Sequence, residues 1–225
     1  MQLTRKGKKN LQESYQQINE AQSKLRTLIK EHEQDHGSFP YFAPKLETQN
    51  IQNCRLVESR LTTLKAMPKN GVVLEVGTQY GGFAKEILSI NKPKKLHLCD
   101  INFNIFDKEY FMPYIQDGIV ELHEGRSHDI LQSFPDEHFD WIYIDGGHNY
   151  ATVKGDAQYG KLKVKKKGYL VFNDYTSWSV KEVCRYGVMK AVNELCLEEG
   201  WELCYLALQE LGYHDVAIKK IVDAS

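Results

Sequence analysis

The run Val72-Val73-Leu74-Glu75-Val76-Gly77-Thr78-Gln79-Tyr80-Gly81-Gly82-Phe83 constrains this chain more than any other stretch. Val72 to Val76 is apolar and β-branched, the composition of a central parallel strand covered on both faces. Glu75 interrupts it one residue before its end. Gly77 can take a positive φ or admit another backbone or a ligand closely. Gly81 and Gly82 open the next helix, where the backbone N–H groups are still unpaired. The run therefore reads as a buried strand, a glycine-bearing turn and the start of a helix.

Glycine turns of this kind commonly hold phosphate, but the details here disagree. The interval from Gly77 to Gly81 is wider than in the dinucleotide G-x-G-x-x-G pattern, and no Lys-Ser/Thr pair follows as in a P-loop. An acid at the turn repels a pyrophosphate and favours a cationic ligand. An ordinary tight turn explains the motif alone equally well. The Glu75-x-Gly77-x-x-x-Gly81 pattern resembles the first motif of the class I S-adenosylmethionine-dependent methyltransferases. In that family the loop cradles the sulfonium and amino-acid end of the cofactor, which makes Glu75, Gly77, Gly81 and Gly82 candidate cofactor residues.

Strands and helices then alternate. Strands are expected near 72–77, 95–101, 119–125, 139–145 and 168–173, and helices near 82–90, 104–116, 127–133, 150–163 and 180–199. Units of that length argue for a doubly wound parallel sheet. The last strands, 202–208 and 214–221, are joined by a short turn at Leu211-Gly212, so they form an antiparallel hairpin. The expected fold is α/β, a mostly parallel seven-stranded Rossmann-like sheet with an antiparallel C-terminal hairpin and an N-terminal helical extension. Residues 69–225 make the cofactor-binding domain and 1–68 the extension, a lid or dimer arm. Within the extension, residues 1–10 read as a frayed end. A helical seam follows at Leu11, Tyr15, Ile18, Leu25, Leu28, Ile29 and His32, broken by Gln22, and must pack on the domain or on a second copy of the chain. A Pro/Gly-punctuated aromatic loop follows at 36–44, then a second helix over about 47–67.

In an open α/β sheet, ligands bind beyond the carboxyl ends of the strands. Asp100 ends the second strand at the offset from Gly77 where an acid meets ribose hydroxyls; capping the next helix competes as an explanation. The third strand runs into Glu124-Gly125-Arg126-Ser127, the fourth into Asp145-Gly146-Gly147-His148-Asn149-Tyr150, and the fifth into Asn173-Asp174-Tyr175. With strands four and five adjacent, Asp145, Asn173 and Asp174 converge as hard oxygen ligands suited to Mg²⁺ or Ca²⁺, not zinc. His148 has the unperturbed pKa of a general base at neutral pH, so His148 and Asp145 form the candidate catalytic pair. Of the other histidines, those at 97, 123, 128, 138 and 214 read as structural.

The Ile-Asp-Gly-Gly-His-x-Tyr and Asn-Asp-Tyr motifs narrow the likeness over roughly residues 70–220. They resemble the metal-dependent O-methyltransferase branch: the catechol and caffeoyl-CoA enzymes and the macrocin-type sugar enzymes. That resemblance implies Ser127 on the adenine ring, where capping the following helix is the competing role. It implies Asp145 and the Asn173/Asp174 pair on a metal such as Mg²⁺, and O-methylation of a small-molecule hydroxyl with a sugar ahead of a catechol. Two departures stand out. The catechol-type enzymes carry a lysine where this chain has His148, and Asn173-Asp174 reverses their Asp-Asn order, which leaves open which of the two binds metal directly. Tyr175, Trp178 and the aromatic loop Phe39 to Phe42 are candidate acceptor-pocket walls.

Composition removes other classes. A formal net charge of −1 gives no case for nucleic acid or an anionic membrane, and no apolar run spans a bilayer. There is no h-region of a signal peptide. Cys54, Cys99, Cys184, Cys196 and Cys204 lack metal or disulfide spacing and read as reduced thiols, the pattern of a cytoplasmic protein. The lysines Lys161, Lys163, Lys165, Lys166 and Lys167 read as complementing a helix C-terminus. A metal-independent N- or O-methyltransferase and a non-catalytic cofactor-binding scaffold are the competing readings.

Overall fold

The computed structural model describes residues 4–36 and 42–221. They fall into two units, Met1–Phe42 and Ala43–Ser225. Among the described residues, the first unit holds one helix, α1 (Arg5–His36). Thr4 starts it: its hydroxyl accepts the Gly7 N–H at 3.1 Å. Residues 1–3 of the expected frayed end lie outside the described residues; the rest is helical from Arg5, because Arg and Lys are good helix formers once a cap supplies the first bond. The aromatics at 39 and 41, offered above as pocket walls, lie outside the described residues; Phe42 is exposed.

The second unit opens with α2 (Thr48–Ile51), β1 (Arg55–Val57) and α3 (Arg60–Ala66). This corrects the single helix expected over 47–67. Asn50 is buried and donates to the carbonyls of Cys196 and Trp201 at 3.1 and 2.9 Å, which pins the chain there. Ser59 then caps α3 by accepting the Thr62 N–H at 3.4 Å. A buried amide and a serine cap inside an apolar-periodic stretch break one helix into pieces.

The alternation follows as β2 (Val72–Val76), α4 (Gly82–Asn91), β3 (Lys95–Asp100), α5 (Lys108–Gln116), β4 (Val120–Glu124), α6 (Ser127–Ser133), β5 (Phe139–Ile144), α7 (Tyr150–Lys163) and β6 (Val164–Phe172). A small hairpin, β7 (Trp178–Ser179) and β8 (Cys184–Arg185), precedes α8 (Val188–Glu199), β9 (Trp201–Leu208) and β10 (His214–Lys220). That hairpin replaces the first turns of the helix expected from residue 180. Likewise α5 starts at Lys108, not 104, because Phe103 and Phe106 turn into the core and Asp107 caps the helix through the Tyr110 N–H at 3.2 Å.

The sheet order is β1-β9-β10-β6-β5-β2-β3-β4. The seven expected strands are present, and β1 adds an eighth beside β9 in parallel register, Leu56 opposite Leu206. Only β10 runs antiparallel to its neighbours β6 and β9. Apolar residues cover both faces: Leu74, Ile142 and Phe172 belong to one core, Val73, Trp141 and Val171 to the other. Tyr175 lies in the first of these, with its hydroxyl bonded to Asn193 at 2.6 Å, so it is core and not a pocket wall. The lysine run also differs from expectation. Lys161 and Lys163 end α7, whereas Lys165, Lys166 and Lys167 lie in β6, and Lys163, Lys165 and Lys166 pair with Asp136, Asp140 and Glu137. No described helix is long and apolar enough to cross a membrane.

Candidate functional site

After β2 the chain winds one way to β3 and β4; β5 then returns to the other side of β2. The crevice at that reversal is where α/β sheets place ligands. Gly77 occupies it. Its φ is +89°, and a Cβ there would stand 2.0 Å from the Asp145 carbonyl oxygen. Only glycine lets the ends of β2 and β5 come this close. The positions of Gly81 and Gly82 serve other ends: a Cβ on Gly81 would strike the Phe111 ring at 2.5 Å, and one on Gly82 the Tyr80 ring at 2.7 Å.

A cavity of about 380 Å³ opens over this crevice, and Gly77, Asp100, Ser127 and Asp145 all line it. Asp100 accepts the Gln79 N–H at 2.7 Å, which ties the turn after β2 to the end of β3. Ser127 is the first residue of α6, and Arg126 takes the cap position, so capping does not account for the serine. His128 also lines the cavity, which the sequence reading missed. Its Nε2 lies 3.3 Å from the buried Asp156, and a Cβ on Gly155 would meet its ring at 2.2 Å. Glu75 lies beneath the turn, 1% exposed, and its Oε2 has no hydrogen-bond partner among the described residues; nor has the Thr78 hydroxyl. Burial, then the Asp145 charge, raises the Glu75 pKa well above the usual carboxylate range. A buried acid left in this state fits a cationic ligand overhead.

A second cavity, about 610 Å³, shares Gln79 and Asp145 with the first. Asp145, His148, Asn173 and Asp174 meet on its wall. Nε2 of His148 stands 3.6 Å from Asp145 and 3.4 Å from Asp174. The imidazole stacks on Tyr186, with centroids 4.4 Å apart. Burial pulls the His148 pKa down, but Asp145 and Asp174 outweigh it, and the net shift is upward. Asp174 is raised by burial and sits at a left-handed φ of 53°, a strained setting for a side chain other than glycine.

Asn173 donates to Asp145 at 2.8 Å and accepts from Gln209 at 3.2 Å. Gln209 continues to Asp215, which accepts the Tyr143 hydroxyl at 2.9 Å and is pushed up to about 7 by burial. The chain of polar contacts thus runs from the cleft into the core. Arg60 lines the same cavity with its guanidinium 4.9 Å from the Phe83 ring centroid. Neither Arg60 nor Asp215 was picked out by sequence. An acid inside the apolar strand His214 to Ile221 was the visible signal for Asp215.

Asp145, Asn173 and Asp174 supply hard oxygens, so the donor chemistry fits Mg²⁺. As arranged, the His148 imidazole stands between the two acids, and Asn173 offers its nitrogen to Asp145. Among the described residues, the His, Cys, Asp or Glu group whose ligand atoms all lie within 4.8 Å is elsewhere: His97, Glu121 and His123. That group is already satisfied internally. The two imidazoles bond each other at 2.9 Å and Lys95 holds Glu121 at 2.7 Å.

A family model described as a methyltransferase domain matches residues 74–175. No curated protein sequence matches the chain. Among solved structures, the M. capricolum TrmK in complex with S-adenosyl-homocysteine is 16% identical at a TM-score of 0.54, covering 76% of this chain and 73% of that one. The B. subtilis M1A22 tRNA methyltransferase TrmK is 17% identical at 0.53, covering 73% and 67%. Spermidine synthase from Thermotoga maritima is 15% identical at 0.51, covering 72% of this chain and 56% of its own. At such identities the likeness is one of fold.

Proposed function

We propose that the chain is an S-adenosylmethionine-dependent methyltransferase that methylates a hydroxyl of a polar small molecule, a sugar or other vicinal diol; the methyltransferase-domain match over residues 74–175 and the fold support this reading. The observation that carries this reading is the pair of cavities sharing Asp145 and Gln79, with His148 on the wall of the second. The cofactor supplies a methyl group on a sulfonium. Gly77 would admit its amino-acid end, Glu75 and Asp145 would meet its positive charge, Asp100 would take the ribose hydroxyls and Ser127 the adenine. Gly81 and Gly82 contribute by letting α4 start tightly behind the turn. An acceptor would enter from the second cavity, which adjoins the first at Asp145 and Gln79; in-line displacement needs its oxygen on the side of the methyl group away from the sulfur.

His148 is the group that takes the acceptor's proton. Its Nε2 is held by stacking on Tyr186 and aimed by the two flanking carboxylates. Asp145, Asp174 and the Asn173 carbonyl oxygen would hold Mg²⁺, which when bound supplies a Lewis acid for the acceptor oxygen. The cavity wall is polar, which suits a hydroxylated acceptor.

The test uses isothermal titration with S-adenosylhomocysteine and a radiolabelled methyl-transfer assay on a panel of glycosides and catechols. His148→Gln should keep the affinity for S-adenosylhomocysteine within about threefold and lower turnover by roughly 10²–10⁴. Treatment with EDTA should abolish turnover, and added Mg²⁺ should restore it. Turnover unchanged in His148→Gln sinks the proposed base. Turnover indifferent to EDTA and to Asp174→Asn sinks the metal, leaving the metal-independent enzyme. Binding without turnover on any acceptor leaves the scaffold reading.

A further inference from the structure

Helix α1 is 32 residues long and the methyltransferase reading makes no use of it. From Leu11 through Tyr15, Ile18, Gln22, Leu25 and Ile29 the spacings alternate between four and three. That is the 3.5-residue period of a coiled-coil seam, with Tyr15, Gln22 and Ile29 at a positions and Leu11, Ile18 and Leu25 at d. Leu11 is 46% and Tyr15 59% exposed. A seam of this period closes on a second helix that has it too. The longest other described helix, α7, has 14 residues, too few to match it.

The charges say which second helix. Arg5, Lys6, Lys8 and Lys9 crowd the N-terminal turns, and the first turn holds no acid. Positive charge there opposes the helix dipole. The C-terminal sequence is Lys-Glu-His-Glu-Gln-Asp-His, rich in acids where the dipole is already negative. Each end is unfavourable alone and complementary to the other. We propose that α1 pairs antiparallel with α1 of a second copy of this chain. Setting a positions against d positions then puts Leu11 on the partner's Ile29, Tyr15 on the partner's Leu25 and Ile18 on the partner's Gln22. That register overlaps nearly the whole helix and brings Lys9 level with the partner's Glu31. The polar Gln22 within the seam is the type of residue that fixes register at some cost in stability.

Light scattering on the full chain should give twice 26.0 kDa over a wide concentration range. The double variant Ile18→Glu, Leu25→Glu should give 26.0 kDa and still bind S-adenosylhomocysteine, which shows that the rest of the chain is folded. Lys9→Glu should weaken the dimer most at low ionic strength. A spin label at Gln12→Cys, with the exposed Cys184 changed to Ser, reports direction: antiparallel partners separate the two labels by about 24 Å along the axis, parallel ones place them level. A mass of 26.0 kDa at every concentration overturns the proposal. Level labels overturn the antiparallel arrangement.

Discussion

Gly77→Ala asks for two impossible things at once: a positive φ with a side chain, and a methyl group 2.0 Å from the Asp145 carbonyl oxygen. The expected cost is at least about 2 kcal/mol, read as a lowered urea midpoint, and S-adenosylhomocysteine binding should weaken in parallel. A variant as stable as the parent would mean that β2 and β5 do not meet as described. His97 gives a pH-dependent case. Burial holds its imidazole at about 4, with His123, Glu121, Lys95 and His138 facing it. The unfolded imidazole takes a proton near 6.5 and the folded one does not. Stability is therefore full above 6.5, falls as the pH drops towards 4, and flattens below; the loss attributable to His97 is at most about 3 kcal/mol. Chemical denaturation across that window should show the slope, and His97→Phe should flatten it. That Gly77, Asp145 and His148 lie at the carboxyl ends of β2 and β5 was legible in sequence, because strand ends announce themselves. Arg60, His128 and Asp215 were not, because each gains its setting from residues far along the chain: Asp215 from Tyr143, His128 from Asp156, Arg60 from Phe83.

Where local pattern and tertiary burial agree, elements fall within a residue or so of expectation, as for α7 and the strands β2 to β5. They disagree most plainly in two places. Over 47–67 the apolar spacing suits a helix, but the buried Asn50 amide and the β1–β9 pairing win. Over 178–185 no periodicity marks β7 and β8, because two-residue strands are too short to show one. The lysine run misleads for a related reason: a helix end and a strand abut without a turn signal, since Val164 both follows α7 and begins β6. Asp140 explains how that junction is held. It accepts the Val72 N–H at 2.7 Å and Lys165 at 2.7 Å, so one carboxylate ties the starts of β2 and β6. Burial works against its charge, but Lys165 and the Val72 N–H keep its pKa below the ordinary value. Asp140→Ala should cost about 1–3 kcal/mol, because it strands a backbone donor, whereas Lys165→Ala should cost under about 1 kcal/mol. Equal effects in urea titrations would show that the ion pair, not the strand tie, matters.

At the scale of the sheet, two ligand spaces lie along one rim and meet at a single acid. Asp100 and Ser127 face only the first cavity; His148, Tyr186 and Gln209 face only the second; Asp145 faces both. That division predicts separable defects. Asp100→Ala should weaken S-adenosylhomocysteine binding roughly ten- to hundredfold through the lost carboxylate. Tyr186→Leu removes the ring on which His148 stacks and should leave that affinity within about threefold. Turnover, however, should fall tenfold or more, because a misplaced base loses its alignment with the acceptor oxygen. Asp145→Asn should be the one substitution of the three to damage both measurements, since its carboxylate belongs to both spaces. If Tyr186→Leu weakened cofactor binding as much as Asp100→Ala does, the two cavities would be one site, and the route by which an acceptor reaches the methyl group would have to be drawn differently.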